Sequence, residues 1–310
     1  MPTKEVWAVG GGKGGVGKSF LTGNLGIALA QKGYSVVMAD MDLGGANLHT
    51  CLGINNPEKG LSDFVNREMT TIEDILIPTP INGVRLISGA QDGLDIANPR
   101  HAQKLRILKA IQNIDVDYVL LDLGAGTAFN TIDFFLSANS QIIVVVPEPT
   151  SIENAYRFIK SAFYRKIRHS SPSSRIRTLV DQVMNRNNQY GIRTPRELLE
   201  YLKQQDEEVA EFIDRQANEF RPRLILNQVR SANDIKIGFA MDNACVKYFG
   251  IHIDFAGYVE HDEIVWKSVL QRKPVLMNAP DSIVAKRISM ICNNLIQNRQ
   301  LKPQMYYKNP

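Results

Sequence analysis

Gly12-Lys13-Gly14-Gly15-Val16-Gly17-Lys18-Ser19 decides how this chain is read. It fits the pattern G-x-x-x-x-G-K-[ST], a loop whose glycines let backbone N–H groups wrap a phosphate chain. An apolar run, Val6-Trp7-Ala8-Val9, precedes it, and Leu21, Leu25, Ala28 and Leu29 follow at helical spacing. Strand, loop and helix in that order are the context the pattern needs, because the helix N-terminus adds partial positive charge where phosphate would sit. Lys18 is then placed to reach the β- and γ-phosphates of a nucleotide, and the Ser19 hydroxyl to ligate Mg²⁺.

Composition bounds what surrounds the loop. The chain has 310 residues, 44% hydrophobic and 22% charged, enough for one large α/β domain and ordinary for a globular protein. A formal charge of +4 permits contact with nucleic acid or anionic lipid without demanding it. The three cysteines, Cys51, Cys245 and Cys292, form no C-x-x-C pair, and an odd number argues against a disulfide framework. A reducing cytoplasm is the expected compartment. No signal peptide is apparent, and no apolar run approaches the ~20 residues of a membrane span.

Beyond the loop, strand and helix patterns alternate, as a mostly parallel sheet requires. Ser35–Ala39, Val84–Ser88, Tyr118–Leu121, Gln141–Val146, Leu224–Leu226 and Phe255–Val259 read as strands. The continuous, β-branched ones suit strands covered on both faces. In such sheets ligands sit at the carboxyl ends of the strands. The second strand leads into Asp40-Met41-Asp42, where carboxylates two residues apart on an extended chain would face one way, toward Mg²⁺ and the attacking water. The fourth leads into Asp122-Leu123-Gly124-Ala125-Gly126, with Asp122 near the metal and glycines that let the loop move.

With Lys13 as a second lysine, the loop resembles the deviant phosphate-binding loop of the MinD/ParA ATPases. The resemblance implies an α/β P-loop NTPase, a mostly parallel doubly wound sheet flanked by helices, that binds ATP and Mg²⁺. It also implies a homodimer when ATP is bound, with Lys13 contacting phosphate across the interface, where a cation meets charge developing in phosphoryl transfer. Asp42 matches the residue that orients the attacking water, and Asp122 the residue near Mg²⁺. Asn227 matches the asparagine at the adenine edge, and Asp262 lies in the purine-side loop. The implied nucleotide-binding set is Gly12, Lys13, Gly14, Gly15, Val16, Gly17, Lys18, Ser19, Phe20, Asn227 and Asp262. Lys13, Lys18 and Asp42 are its catalytic members, and Ser19, Asp42 and Asp122 its metal set. Asp42–Asn47 and Pro147–Ser151 are most similar to the flagellar-number regulator subgroup, FlhG/FleN. Slow, partner-stimulated hydrolysis follows from the same resemblance, as does a cytoplasmic protein that is peripheral at the membrane or cell pole.

Some features depart from the family pattern. Phe20 stands where a threonine is usual, so one side-chain contact to the α-phosphate is lost. Glu260 replaces a proline common in the adenine loop. The final helix, Ser282–Arg299, carries an apolar stripe better suited to a core seam than to a lipid face.

The chain reads as one P-loop domain, 1–310, with a helical insertion at 160–222. Lys160, Arg165, Lys166, Arg168, Arg175, Arg177, Arg186, Arg193 and Arg196 face only Asp181 there, and the following stretch to Glu219 is mainly acidic. Thr194-Pro195-Arg196-Glu197 is a helix start, and Ser170–Ser174 reads as a loop. Either the two halves pair with each other, or the basic segment 160–196 docks a regulatory protein, nucleic acid or an anionic membrane. The preferred function is an ATP-switched spatial regulator of flagella or of the division site. A DNA-segregation ATPase is the alternative, favoured by the basic stretch. An iron–sulfur carrier lacks its paired cysteines, and a tyrosine kinase has only Tyr306-Tyr307 in its favour.

Overall fold

The computed structural model describes residues 4–89, 99–171, 174–183, 191–204 and 207–301. Its first half runs β1 (Glu5–Gly10), α1 (Lys18–Ala30), β2 (Val36–Asp40), α2 (Leu48–Cys51), α3 (Leu61–Val65), β3 (Ile77–Pro78), β4 (Val84–Ile87), α4 (His101–Asn113), β5 (Tyr118–Asp122), α5 (Phe129–Leu136) and β6 (Ser140–Val145). The second runs α6 (Pro149–Ser170), α7 (Ser174–Val183), α8 (Pro195–Lys203), α9 (Glu207–Glu219), β7 (Arg223–Val229), α10 (Ala232–Phe249), β8 (Asp254–Glu260), α11 (Glu263–Leu270), α12 (Val275–Asn278) and α13 (Ile283–Ile296).

Among the described residues, eight strands form one sheet in the order β3-β4-β2-β5-β1-β6-β7-β8. Every neighbouring pair is parallel except the edge pair β3–β4. The short β3 escapes the sequence reading because two residues carry no periodicity, and its Pro78 fits only an edge. In β1, Val6 and Ala8 face one core while Trp7 and Val9 face the other. This period-two alternation buries both sides. β1 lies between β5 and β6, so the loop that leaves it emerges beside Asp122, which pairs in register with Val9. Strands β2 and β4 lie beyond β5, and β7 and β8 beyond β6, which makes the end of β1 the point where the sheet's winding reverses.

The final helix is a core seam. Val284, Ile288, Ile291 and Leu295 of α13 are buried, while Ile283 is half exposed. Among the described residues, no helix is long and apolar enough to cross a membrane.

The expected insertion boundary at 160 falls inside a helix. α6 continues to Ser170 because Phe158, Ile159, Ala162, Phe163 and Ile167 carry one buried stripe through that position. The helices between α6 and β7 are α7 to α9. α8 starts where the sequence reading placed it, with Thr194 Oγ1 accepting from Glu197 N at 3.2 Å. Pro172, Ser173, Arg186, Tyr306 and Tyr307 lie outside the described residues.

Much of the segment's charge is paired within the fold. Arg168 meets Asp181 at 2.7 Å, Lys166 meets Glu219 at 3.4 Å, and Arg196 meets Glu200 at 2.9 Å. Arg165 is not a surface charge. Its Nε and Nη2 donate to Asp133 at 2.6 and 2.8 Å, and Lys104 binds the same carboxylate. Burial pushes the Asp133 carboxyl up, but the two cations together hold it below its usual value. The trio ties α4, α5 and α6 together. Asp133→Asn is expected to cost about 3 kcal/mol in urea unfolding, because it strands a buried lysine. Arg168→Ala should cost less than about 1 kcal/mol, its pair being exposed. The depressed Asp133 value means its contribution is present above the ordinary carboxylate pKa and lost in acid, so the Asn penalty should shrink below about pH 4.

Candidate functional site

Residues 11–17 leave β1 and deliver the chain to α1. Gly17 is the N-cap of α1, with φ of 94°, and a Cβ there would lie 2.3 Å from Asn227 Nδ2. Only glycine satisfies both constraints. No side chain caps the helix, so its first N–H groups remain available to an anion. Gly12 is fixed by a close approach, since a Cβ would meet the backbone oxygen of Asn154 in α6 at 2.1 Å. The loop thus lies directly on the N-terminal part of α6.

Three carboxylates and a lysine gather beside it. Asp40 and Asp122 pair in register on β2 and β5 and are 1% and 2% exposed. Burial, then the nearby Asp40, pushes the Asp122 carboxyl up, against hydrogen bonds from Ser19 and Thr22 and the charge of Lys18. Burial also raises Asp40. Lys18 is 9% exposed, and burial lowers its pKa against the pull of Asp122 and Asp42. A divalent cation would favour the ionised form of Asp122, and the donors at hand are hard oxygens of the kind Mg²⁺ takes. Among the described residues no group of three or more His, Cys, Asp or Glu is placed to hold a metal by itself. The Ser19 hydroxyl, with Asp122 behind it, fits a Mg²⁺ completed by phosphate oxygens and water.

The two acids after β2 do not act alike. β2 ends at Asp40, so Asp42 lies in the following loop and the alternation of a strand no longer relates them. Asp40 accepts from Leu48 N at 2.9 Å and from Asp42 N at 3.1 Å, which anchors that loop. Asp42 turns toward the loop after β5, where a Cβ on Gly124 would stand 3.2 Å from its carboxyl carbon. The segments after β2 and β5 therefore touch at Asp42.

Lys13 points along the molecule's own surface. Its Nζ meets Glu148 Oε2 at 2.8 Å and Thr150 Oγ1 at 3.2 Å, at the start of α6. No spacing rule links residues 135 positions apart, so Glu148 was not legible as its partner.

Beside α1 a cleft of about 290 Å³ is lined by Phe20, Asn227, Asp262, Val265, Trp266 and Val269, together with Gln228 and Glu260. Asn227 Nδ2 donates to Val16 O at 2.8 Å, so one of its two N–H groups already braces the phosphate loop. Asp262 caps α11, its Oδ1 accepting from Ile264 N at 2.8 Å. Gln228 holds a left-handed φ of 58° where the β7–β8 register shifts. Strain of this kind concentrates at binding sites. Sequence reasoning missed Thr22 and Gln228, and no local pattern marks either.

A sequence model of the ParA family, described as NUBPL iron-transfer P-loop NTPase, matches residues 2–170. The antiactivator FleN of Pseudomonas aeruginosa is 36% identical over 163 residues, 52% of this chain and 57% of FleN. The flagellum site-determining protein YlxH of Helicobacter pylori is 33% identical over 155 residues, 49% of this chain and 52% of YlxH. The chain thus spans little more than half the length of either relative. The septum site-determining protein MinD of Pyrococcus horikoshii, solved with Mg-ADP, superposes with a TM-score of 0.64 at 20% identity, covering 94% of this chain and 96% of that one. This likeness extends the shared fold beyond the matched N-terminal half. Loop, sheet order and family model agree: the chain belongs to the MinD/ParA family of P-loop NTPases, and about half of it is similar to FleN and YlxH.

Proposed function

We propose that this protein is an ATP-dependent dimerising switch with slow hydrolysis, acting as a spatial regulator of flagella or of the division site. The observation that carries the reading is the meeting of Lys18, Asp122 and Asp42 beneath an uncapped helix N-terminus, with Lys13 at the loop mouth. In this reading the loop N–H groups and Lys18 bind the β- and γ-phosphates, and the Ser19 hydroxyl and Asp122 hold Mg²⁺, which neutralises phosphate charge. Asp42 orients the attacking water. Because Asp42 abuts Gly124, a γ-phosphate felt by one loop reaches the other. Asn227 and Asp262 bound the purine side. The family resemblance supports the subunit exchange of Lys13, and the FleN and YlxH relatives support the spatial role.

Lys13 must leave Glu148 to serve a partner subunit. The pair is 38% and 56% exposed, so it contributes no more than about 1 kcal/mol. Glu148→Gln is therefore expected to lower the ATP concentration needed for dimerisation by less than about fivefold, as read by light scattering. A loss of dimers in that variant would instead place Glu148 in the interface.

The iron reading carried by the family description gains nothing here. Cys245 and Cys292 are fully buried, and burial pushes all three thiols up to about 12, whereas metal ligation needs the thiolate. Purified protein free of iron, with ATP-dependent light scattering, is the direct test of the proposed function. Iron at stoichiometric level without ATP-driven dimers would overturn it.

A further inference from the structure

Glu260 ends β8 in the wall of the cleft beside Asn227 and Trp266. One of its carboxylate oxygens is committed, since Oε1 accepts from Arg287 Nε at 2.7 Å. Arg287 is itself held over the Tyr258 ring, 4.6 Å from its centre. The other oxygen, Oε2, is shielded from solvent and has no hydrogen-bond donor among the described residues. A buried acceptor left in that state is costly, so a donor from outside the chain has something to gain there after a small turn of the carboxylate. Across the cleft Asn227 has already spent one N–H on Val16 O. Trp266, 63% exposed, presents an uncovered ring at the rim.

We infer that Glu260, held by Arg287, reads the 6-position of the purine by accepting a hydrogen bond from the adenine amino group, with Trp266 as a wall beside the base. The inference rests on the nucleotide reading above. Its chemistry follows from counting acceptors. Guanine presents a carbonyl at position 6, which a carboxylate repels. A carboxylate reads guanine well by taking the ring N–H and the 2-amino group with both oxygens, and here one oxygen is engaged by Arg287. A single free acceptor suits a 6-amino purine.

The test is equilibrium binding to the full chain by calorimetry, with ADP, inosine diphosphate and the diphosphate of purine riboside, which lacks a 6-substituent. Wild-type protein should bind ADP about tenfold or more tightly than the purine riboside compound, with the inosine compound weaker still. Glu260→Gln keeps the length of the side chain. With its carbonyl toward Arg287, its N–H turns to the base, so ADP and inosine diphosphate should come within about threefold of each other or change order. Trp266→Ala should weaken all three by a common factor of about ten, as loss of a stacking wall does. The intrinsic fluorescence response to nucleotide should vanish with it, because the other tryptophan, Trp7, is 2% exposed in the core. Equal wild-type affinities for ADP and the purine riboside compound, or a Glu260→Gln protein that keeps the full preference, would overturn the reader. The wild-type comparison decides even if that variant does not fold. Unchanged affinities in Trp266→Ala would overturn the wall. A wild-type protein that binds none of the three would bring down the nucleotide reading itself, which is a different result from equal binding.

Discussion

Lys18→Ala is expected to abolish nucleotide binding, with affinity for Mg-ATP and Mg-ADP falling at least about a hundredfold, or roughly 2.7 kcal/mol. Among the described residues, Lys18 is the cation buried at the carboxyl end of β1, facing Asp122 and Asp42. Its removal deletes a charge-assisted contact to the phosphates. It also leaves Asp40 and Asp122, already raised by burial, with less opposing charge in the pocket that must accept an anion. The fold itself should tolerate the change, because the cost of burying the ammonium disappears along with its attraction to the acids. The measurement is a thermal melt with and without nucleotide. At a hundred times Kd, ligand should stabilise the wild-type protein by about 2.7 kcal/mol. The variant should melt at the same temperature in both conditions, and a normal ligand-dependent shift would remove Lys18 from the phosphate site.

Asp42→Ala should separate binding from turnover. Asp42 lies outside the buried pair and makes its approach to Gly124, so removing it leaves the phosphate loop, Lys18 and Asp122 in place. ATP affinity should hold within a few-fold. Hydrolysis should fall about a hundredfold or more, the usual consequence of losing a group that positions the nucleophile. ATP-bound dimers should then accumulate. Lys13→Ala should give the opposite phenotype, binding ATP yet remaining monomeric by light scattering, since the hydrogen bonds it makes to the exposed Glu148 and Thr150 hold no part of the phosphate loop. A Lys13→Ala protein that dimerises like wild type would remove the contact in trans. An Asp42→Ala protein that hydrolyses ATP normally would move the water-positioning role elsewhere.

Legibility in the sequence followed the range of the interaction. The phosphate loop was readable because all its parts must be contiguous: glycines for a left-handed backbone, a lysine and a hydroxyl at fixed offsets, a strand before and a helix after. The central strands were readable because burial on both faces forces unbroken apolar runs such as Tyr118–Leu121. The start of α8 was readable because Thr194 and Glu197 satisfy each other's backbone within one turn. The reach of α6 was not, since a basic run from Lys160 looks like a change of element. What continues α6 to Ser170 is its buried face, and charge on the outer face says nothing about that.

The same division runs through the site. Sequence alone determined the fold class, and it singled out Lys18, Ser19 and Asp122 as the candidate phosphate and metal set, because local backbone geometry and strand-end position leave little choice for them. Only the tertiary structure decided the rest. It showed that Asp40 anchors a loop while Asp42 faces the neighbouring one, because β2 stops between them. It gave Lys13 a partner in Glu148, Arg165 a buried partner in Asp133, and Glu260 a partner in Arg287 in the cleft beside Asn227. These pairings join residues 135, 32 and 27 positions apart. Nothing in a residue's own neighbourhood specifies such contacts. They exist because a parallel sheet brings the ends of distant strands to one edge and packs the connecting helices side by side, where burial then settles which charges must meet.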